Sequence, residues 1–190
     1  MAFTVVYDTC ALFGATSRDL LIRIARARLV QAKWSEAILE ELKEKLIDKR
    51  AYTVEKFARL RTLMCDAVPD CLVEGYEPLI EGLKLADADD RHVLAVAIQA
   101  GAQVIVTDDR GFRPEYLSQY GIEAKTPDDF VADLIGLAHP VVRGCVQGIV
   151  DQCNNPPVTF EEVLTKLERA GLIASATQLR YGYENETPDP

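Results

Sequence analysis

Acidic residues stand at four stations of this chain, each where an apolar run ends or within or just before a helix-like pattern. Asp8 closes FTVVYD; Glu40 and Glu41 sit inside WSEAILEELKEKL; Asp87, Asp89 and Asp90 fall in ADADDRHVLAVAI; Asp108 and Asp109 end AQVIVTDD. Carboxylates gathered from four separate elements would repel one another. A hard divalent cation with oxygen ligands, magnesium or manganese, is the usual remedy. Such ions neutralise a phosphodiester, activate water and stabilise the leaving oxygen. The residue types therefore point to metal-dependent chemistry on phosphate, provided that the four stations share one hollow. The competing explanation is local: Asp and Glu are common helix caps, and Asp87 or Asp89 could simply cap HVLAVAIQA. Asp8 has no evident helix to cap, and the pair 108–109 is too acidic for an ordinary turn at a sheet edge. Glu40 and Glu41 compete for one role, and the Ile38, Leu42, Leu46 stripe barely separates them.

The elements that must hold these residues alternate. Residues 3–8 and AQVIVT read as buried strands, VQAKW and GIEAKT as shorter ones, and CLVEGY as an edge strand. Thr9 to Gly14 is expected to turn away from the first strand. Ser17 or Asp19 would cap a helix through Arg28, and Ser35 caps a helix carrying Ile38, Leu39, Leu42 and Leu46 inward. Further helices are expected from Thr53 to Ala67, over EPLIEGLKL, over HVLAVAIQA up to Gly101, and from Thr126–Pro127 to Leu137. This alternation predicts an α/β fold with a central parallel sheet. Asp8 and Asp108–Asp109 would then lie at its carboxyl edge, where open α/β sheets keep their sites. Pro140 opens a second all-helical stretch, NNPP interrupts it, and T-F-E-E forms a capping box for VLTKLERAGL. The expected division is a domain over 1–137, a C-terminal helical extension over 138–182 and an acidic mobile tail over 183–190.

Composition narrows the function classes. The hydrophobic fraction of 48% suits a packed core. No apolar run approaches the roughly 20 residues of a bilayer span. The N-terminus carries no basic segment before FTVVYD, so a secretory signal is not expected. The five cysteines form no C-x-x-C pair and read as reduced thiols of a cytoplasmic protein. A net charge of −9 argues against a protein that coats nucleic acid, yet allows a nuclease whose acidity is concentrated at a metal cluster. Arg91, Arg110 and Arg113 flank the acidic stations and are candidate RNA contacts. His92, one turn into its helix, is read as structural, His139 as incidental, and Trp34 as a packing residue.

V-V-Y-D-T-C, S-E-A-I-L-E-E-L, D-A-D-D-R-H-V-L-A-V-A and A-Q-V-I-V-T-D-D-R-G-F, in this order, resemble the PilT N-terminal (PIN) domain ribonucleases, particularly VapC-like toxins. The resemblance spans about residues 3–130, and the stretch from NNPP to AGL is similar to the helical tail of one VapC-like subgroup. It implies a PIN-like α/β/α sandwich and an acidic pocket for Mg2+ or Mn2+. Asp8, Glu41, Asp90 and Asp109 would be its catalytic metal ligands, with Asp87, Asp108 and Thr107 assisting. It further implies an RNA substrate, a cognate antitoxin and a homodimer. Three positions depart from the pattern: Cys10 where asparagine is frequent, Asp108 where asparagine is common, and Gly111 where aspartate is common. They leave Asp108 a competitor of Asp109 for the fourth place. Two other functions fit some of the residues. A haloacid-dehalogenase-like phosphatase also wants an aspartate after its first strand, but needs a second two residues on, where Cys10 stands. A non-catalytic PIN-fold binding module would keep the scaffold alone.

Overall fold

The computed structural model describes residues 2–182; the tail expected over 183–190 lies outside the described residues. Four strands, β1 (Phe3–Tyr7), β2 (Val30–Lys33), β3 (Val104–Val106) and β4 (Glu123–Lys125), form one sheet in the order β2-β1-β3-β4. Every pairing is parallel: Val5 lies opposite Ala32 on one side and Val104 on the other. Parallel strands need covered faces, and helices flank the sheet in an α/β/α sandwich. From β1 the chain moves to one side for β2, then returns past β1 to place β3 on the other. The point where the order reverses lies between β1 and β3, so the crevice favoured for ligands opens at their carboxyl ends.

The core is continuous. Val5, Val6 and Tyr7 of β1 and Ile105 and Val106 of β3 are fully buried. Tyr7 stacks on Trp34 at 6.4 Å and meets Phe130 edge-on at 6.1 Å, confirming Trp34 as a packing residue. CLVEGY contributes less than a strand: Leu72 makes one isolated parallel bridge to Trp34 just beyond the end of β2.

Two helix starts differ from expectation. Thr9 to Gly14 is not a simple turn, because α1 (Thr9–Phe13) begins directly after β1 with Asp8 as its N-cap. The second helix, α2 (Ala15–Arg26), starts after Gly14 and not at Ser17 or Asp19. Ser17 donates back to the Gly14 carbonyl at 3.0 Å, and Asp19 is taken by Arg23 one turn on at 2.8 Å. The corner between these helices is fastened by Arg18, only 5% exposed, which donates to the Leu12 and Phe13 carbonyls at 2.6 and 3.3 Å. These are the orphan acceptors at the end of α1.

α3 (Glu36–Arg50) is capped by Ser35 as predicted, and α4 (Val54–Ala67) by Thr53. After the short α5 (Glu77–Ile80), α6 (Arg91–Gln99) packs on β1 and β3. The short α7 (Pro114–Leu117) leads to β4. α8 (Pro127–Gln152) runs through the expected junction, but its backbone leaves the helical region at Ala138, two residues before Pro140. The proline ring and missing N–H explain the break. α9 (Phe160–Arg169) opens on the predicted Thr159–Glu162 capping box, and α10 (Ile173–Tyr181) closes the described chain against α8 and α9. Among the described residues, no helix is long and apolar enough to cross a membrane.

Candidate functional site

The site begins at Asp8. It is 7% exposed and sits between the last residue of β1 and the first of α1. Its backbone N–H still donates to Val106 of β3 at 3.1 Å, so the carboxylate is fixed at the crevice between the central strands. Oδ1 accepts the Thr9 N–H at 2.6 Å, and Oδ2 accepts the Thr107 hydroxyl at 2.8 Å and the Cys10 thiol at 3.1 Å. Asp8 is thus both a cap and a site residue.

Thr107 leaves the end of β3 and ties the following loop to Asp8. Its Oγ1 receives the Asp109 N–H at 3.0 Å and lies 3.2 Å from Cys10 Sγ. The same sulfur accepts the Asp108 N–H at 3.1 Å. Burial pushes the Cys10 thiol up to about 12, helped by the negative charge of Asp8, so it stays protonated and acts as a donor. The asparagine expected from the resemblance is thereby replaced by a small group that bridges the two strand ends.

Glu41 enters from α3 and Glu40 does not. The exposed Glu40 pairs with Lys43 at 2.5 Å on the outer face. Glu41 Oε2 accepts the Thr9 hydroxyl at 2.9 Å, and Oε1 lies 2.7 Å from His92 Nε2, too oblique for an aligned hydrogen bond. Burial alone would raise the Glu41 pKa, but His92, Thr9 and Lys45 outweigh it and hold the carboxyl below its ordinary range. His92, read as structural from the sequence, thus lies against the Glu41 carboxylate.

The third station differs from the capping alternative. Neither Asp87 nor Asp89 caps α6: Asp87 accepts the Asp89 N–H at 2.9 Å within its own turn. Asp90 occupies the cap position but makes no side-chain cap bond, so its carboxylate remains available. Burial, and then Asp109, Asp8, Asp87 and Glu41, push Asp90 up to about 6. These acids lie within electrostatic reach of one another. Beside Asp90, Arg91 Nε is buried with no hydrogen-bond partner among the described residues.

Asp109 and Asp108 divide the fourth station. Asp109 Oδ1 accepts the Gly111 N–H at 2.5 Å, curling its own loop. A Cβ at Gly111 would stand 2.9 Å from that oxygen, so the absent side chain is what lets the loop close this tightly. Asp108 is raised by burial and then by Asp8. Asp109 thus acts electrostatically on Asp90, and Asp8 on Asp108. Arg110 and Arg113 lie exposed on the same loop, Arg113 3.7 Å from Glu115.

The donor set is all-oxygen and over-supplied with negative charge, which fits magnesium or manganese. Among the described residues, no three acidic, histidine or cysteine side chains already surround one point at ligating range. Thr9 and His92 were not assigned to the site from sequence. Their signal was present only as the D-T and D-R-H neighbours of the acids, since their partner Glu41 is remote in the chain.

The family model described as "PIN domain" matches residues 4–111, and that described as "VapC50 C-terminal domain" matches residues 127–181. A protein of Mycobacterium tuberculosis (strain ATCC 25618 / H37Rv) named "Putative ribonuclease VapC50" is 37% identical over 94 residues, 49% of this chain and 55% of that protein. The match spans about half the length of that relative. No solved structure matches the chain. The first model covers more than half of the chain and contains Asp8, Glu41, Asp90 and Asp109, so the chain belongs to the PIN domain family.

Proposed function

We propose that the protein is a metal-dependent endoribonuclease and the toxin of a type II toxin–antitoxin pair. What supports this reading is that Asp8 stands at the end of the first central strand and that Asp109, Asp8, Asp87 and Glu41 act on Asp90, and Asp8 on Asp108, across electrostatic distance. Asp8 and Asp90 would hold a Mg2+ or Mn2+ ion, which when bound supplies charge neutralisation on the phosphate and an activated water. Glu41 and Asp109 would orient that water or hold a second ion, with Asp87, Asp108 and Thr107 in support. Thr107 and Cys10 keep Asp8 in place, and the Thr9 hydroxyl keeps Glu41 turned inward. Arg91, Arg110 and Arg113 would contact the RNA backbone. The name of the mycobacterial relative supports ribonuclease action and a VapC-type role. The partner of such a toxin would be an antitoxin that places an arginine on the carboxylates. A small DNA-binding protein encoded next to this one is the expected genetic setting.

The phosphatase reading loses support from Cys10. A thiol raised to about 12 offers little to a leaving group where that chemistry needs a carboxylic acid. End-labelled RNA incubated with magnesium, manganese or EDTA tests the proposal. Cleavage that needs metal and falls at least about 100-fold in Asp8→Asn is expected. Hydrolysis of small phosphoesters with RNA left intact would favour the phosphatase, and turnover of neither would leave the binding module.

A further inference from the structure

The acidic site opens on a second feature of opposite charge. Cys10 and Asp108 form one end of a cleft of about 630 Å3. Its walls carry Arg50 from the end of α3 and Lys166 and Arg169 from the last turn of α9. Arg50 lies over the Phe13 ring at 5.1 Å, which holds its guanidinium along the wall. Among the described residues, neither Arg50 nor Arg169 is paired with a carboxylate. The floor includes the start of α2, where Gly14 supplies no side-chain cap and the first turn holds no acid. Its free N–H groups add a partial positive charge to the same cavity. In a chain of net charge −9, cations concentrated beside a carboxylate cluster are an exception to be explained.

We propose that this cleft holds the RNA strand next to the scissile phosphate, with Arg50, Lys166 and Arg169 receiving its backbone phosphates. The C-terminal extension is then part of the substrate site, because α9 brings two of the three cations. This inference rests on the nuclease reading of the acidic site. The volume lies within the range of pockets that enclose small organic ligands, so a nucleotide fits. Separated cations along a cleft that Asp108 and Cys10 also line suit a phosphodiester chain. An acidic peptide is the competing occupant and is an outcome of the test.

The experiment measures fluorescence anisotropy of a labelled single-stranded RNA of roughly 16 nucleotides in EDTA, across a salt series. K166A/R169A is expected to bind about tenfold more weakly, with a log–log salt slope lower by about 1.4, the value for two lost phosphate contacts on a single strand. Both residues are exposed, so the fold should tolerate the change. Arg50→Ala, on a different helix, should weaken binding in the same sense. R26A/R59A removes the same charge outside the cleft and should leave affinity and slope close to wild type. Unchanged binding in K166A/R169A, an equal loss in R26A/R59A, or a wild type that holds a polyglutamate peptide but no RNA would each overturn the proposal. Metal is absent from the assay, so the two readings fail separately. A wild type that binds RNA through the cleft yet never cuts it sinks the nuclease. A wild type that cuts RNA yet ignores these substitutions in binding sinks the cleft.

Discussion

A carboxylate offers about four acceptor positions. Thr9, Thr107 and Cys10 use three of them on Asp8, which leaves about one open, the position a cation would have to use. Asp90 is the contrasting case: it makes no cap bond and registers the surrounding acids as a pKa raised to about 6, first by burial. Its ordinary value is 3.8, so in the metal-free protein the folded state holds this proton more tightly than the unfolded chain. The contribution of Asp90 to stability therefore falls as pH rises from about 4 through about 6, and its loss is complete above that. Asp90→Asn removes the effect. In EDTA its melting temperature should exceed that of wild type at about pH 7.5 and match it at about pH 4. Equal melting temperatures at both values would mean that Asp90 does not feel its neighbours.

At the scale of elements, α1 and α6 do the positioning. Each starts at an acid, and only α1 uses that acid as a side-chain cap. The helix α1 was illegible in the sequence because five residues containing Thr, Cys and Phe carry no helical period, and the cap is the same Asp8 that ends the strand. Glu40 and Glu41 could not be parted for a related reason. Helical spacing puts both near the apolar stripe, and the hydroxyl that selects Glu41 belongs to Thr9, far away in the chain. A tertiary cap joins the C-terminal helices to the rest. Asp128, in the first turn of α8, accepts the Ala174 and Ser175 N–H groups at 2.9 and 2.8 Å and the Ser175 hydroxyl at 2.7 Å. It serves the start of α10, which has no side-chain cap of its own. Asp128→Ala should lower stability by about 2 kcal/mol, since it strands donors of a buried Ser175. A urea midpoint that does not move would show that α10 is held by its apolar face alone.

Across the whole molecule, the alternation of strands and helices made the α/β sandwich legible, as did the acids at the strand ends. The strand order β2-β1-β3-β4 was not, because it depends on where each crossover returns and not on any local pattern. The basic cleft was hidden for the same reason: Arg50 and Arg169 meet only in three dimensions. Acids at one edge of the sheet place negative charge there, and a cation binding them would stabilise the fold by mass action. Magnesium or manganese at about 100 times its dissociation constant should stabilise the fold by roughly 2.7 kcal/mol, seen as a rise in melting temperature. Asp8→Asn should lose most of that rise; a rise kept in full would place the ion elsewhere. Manganese-soaked crystals read by anomalous diffraction give the most direct test of a shared cation. A peak between Asp8 and Asp90, with the nearest carboxylate oxygen at about 2.1 Å, is the predicted result. Crystals saturated with manganese that show no peak among these carboxylates would contradict it.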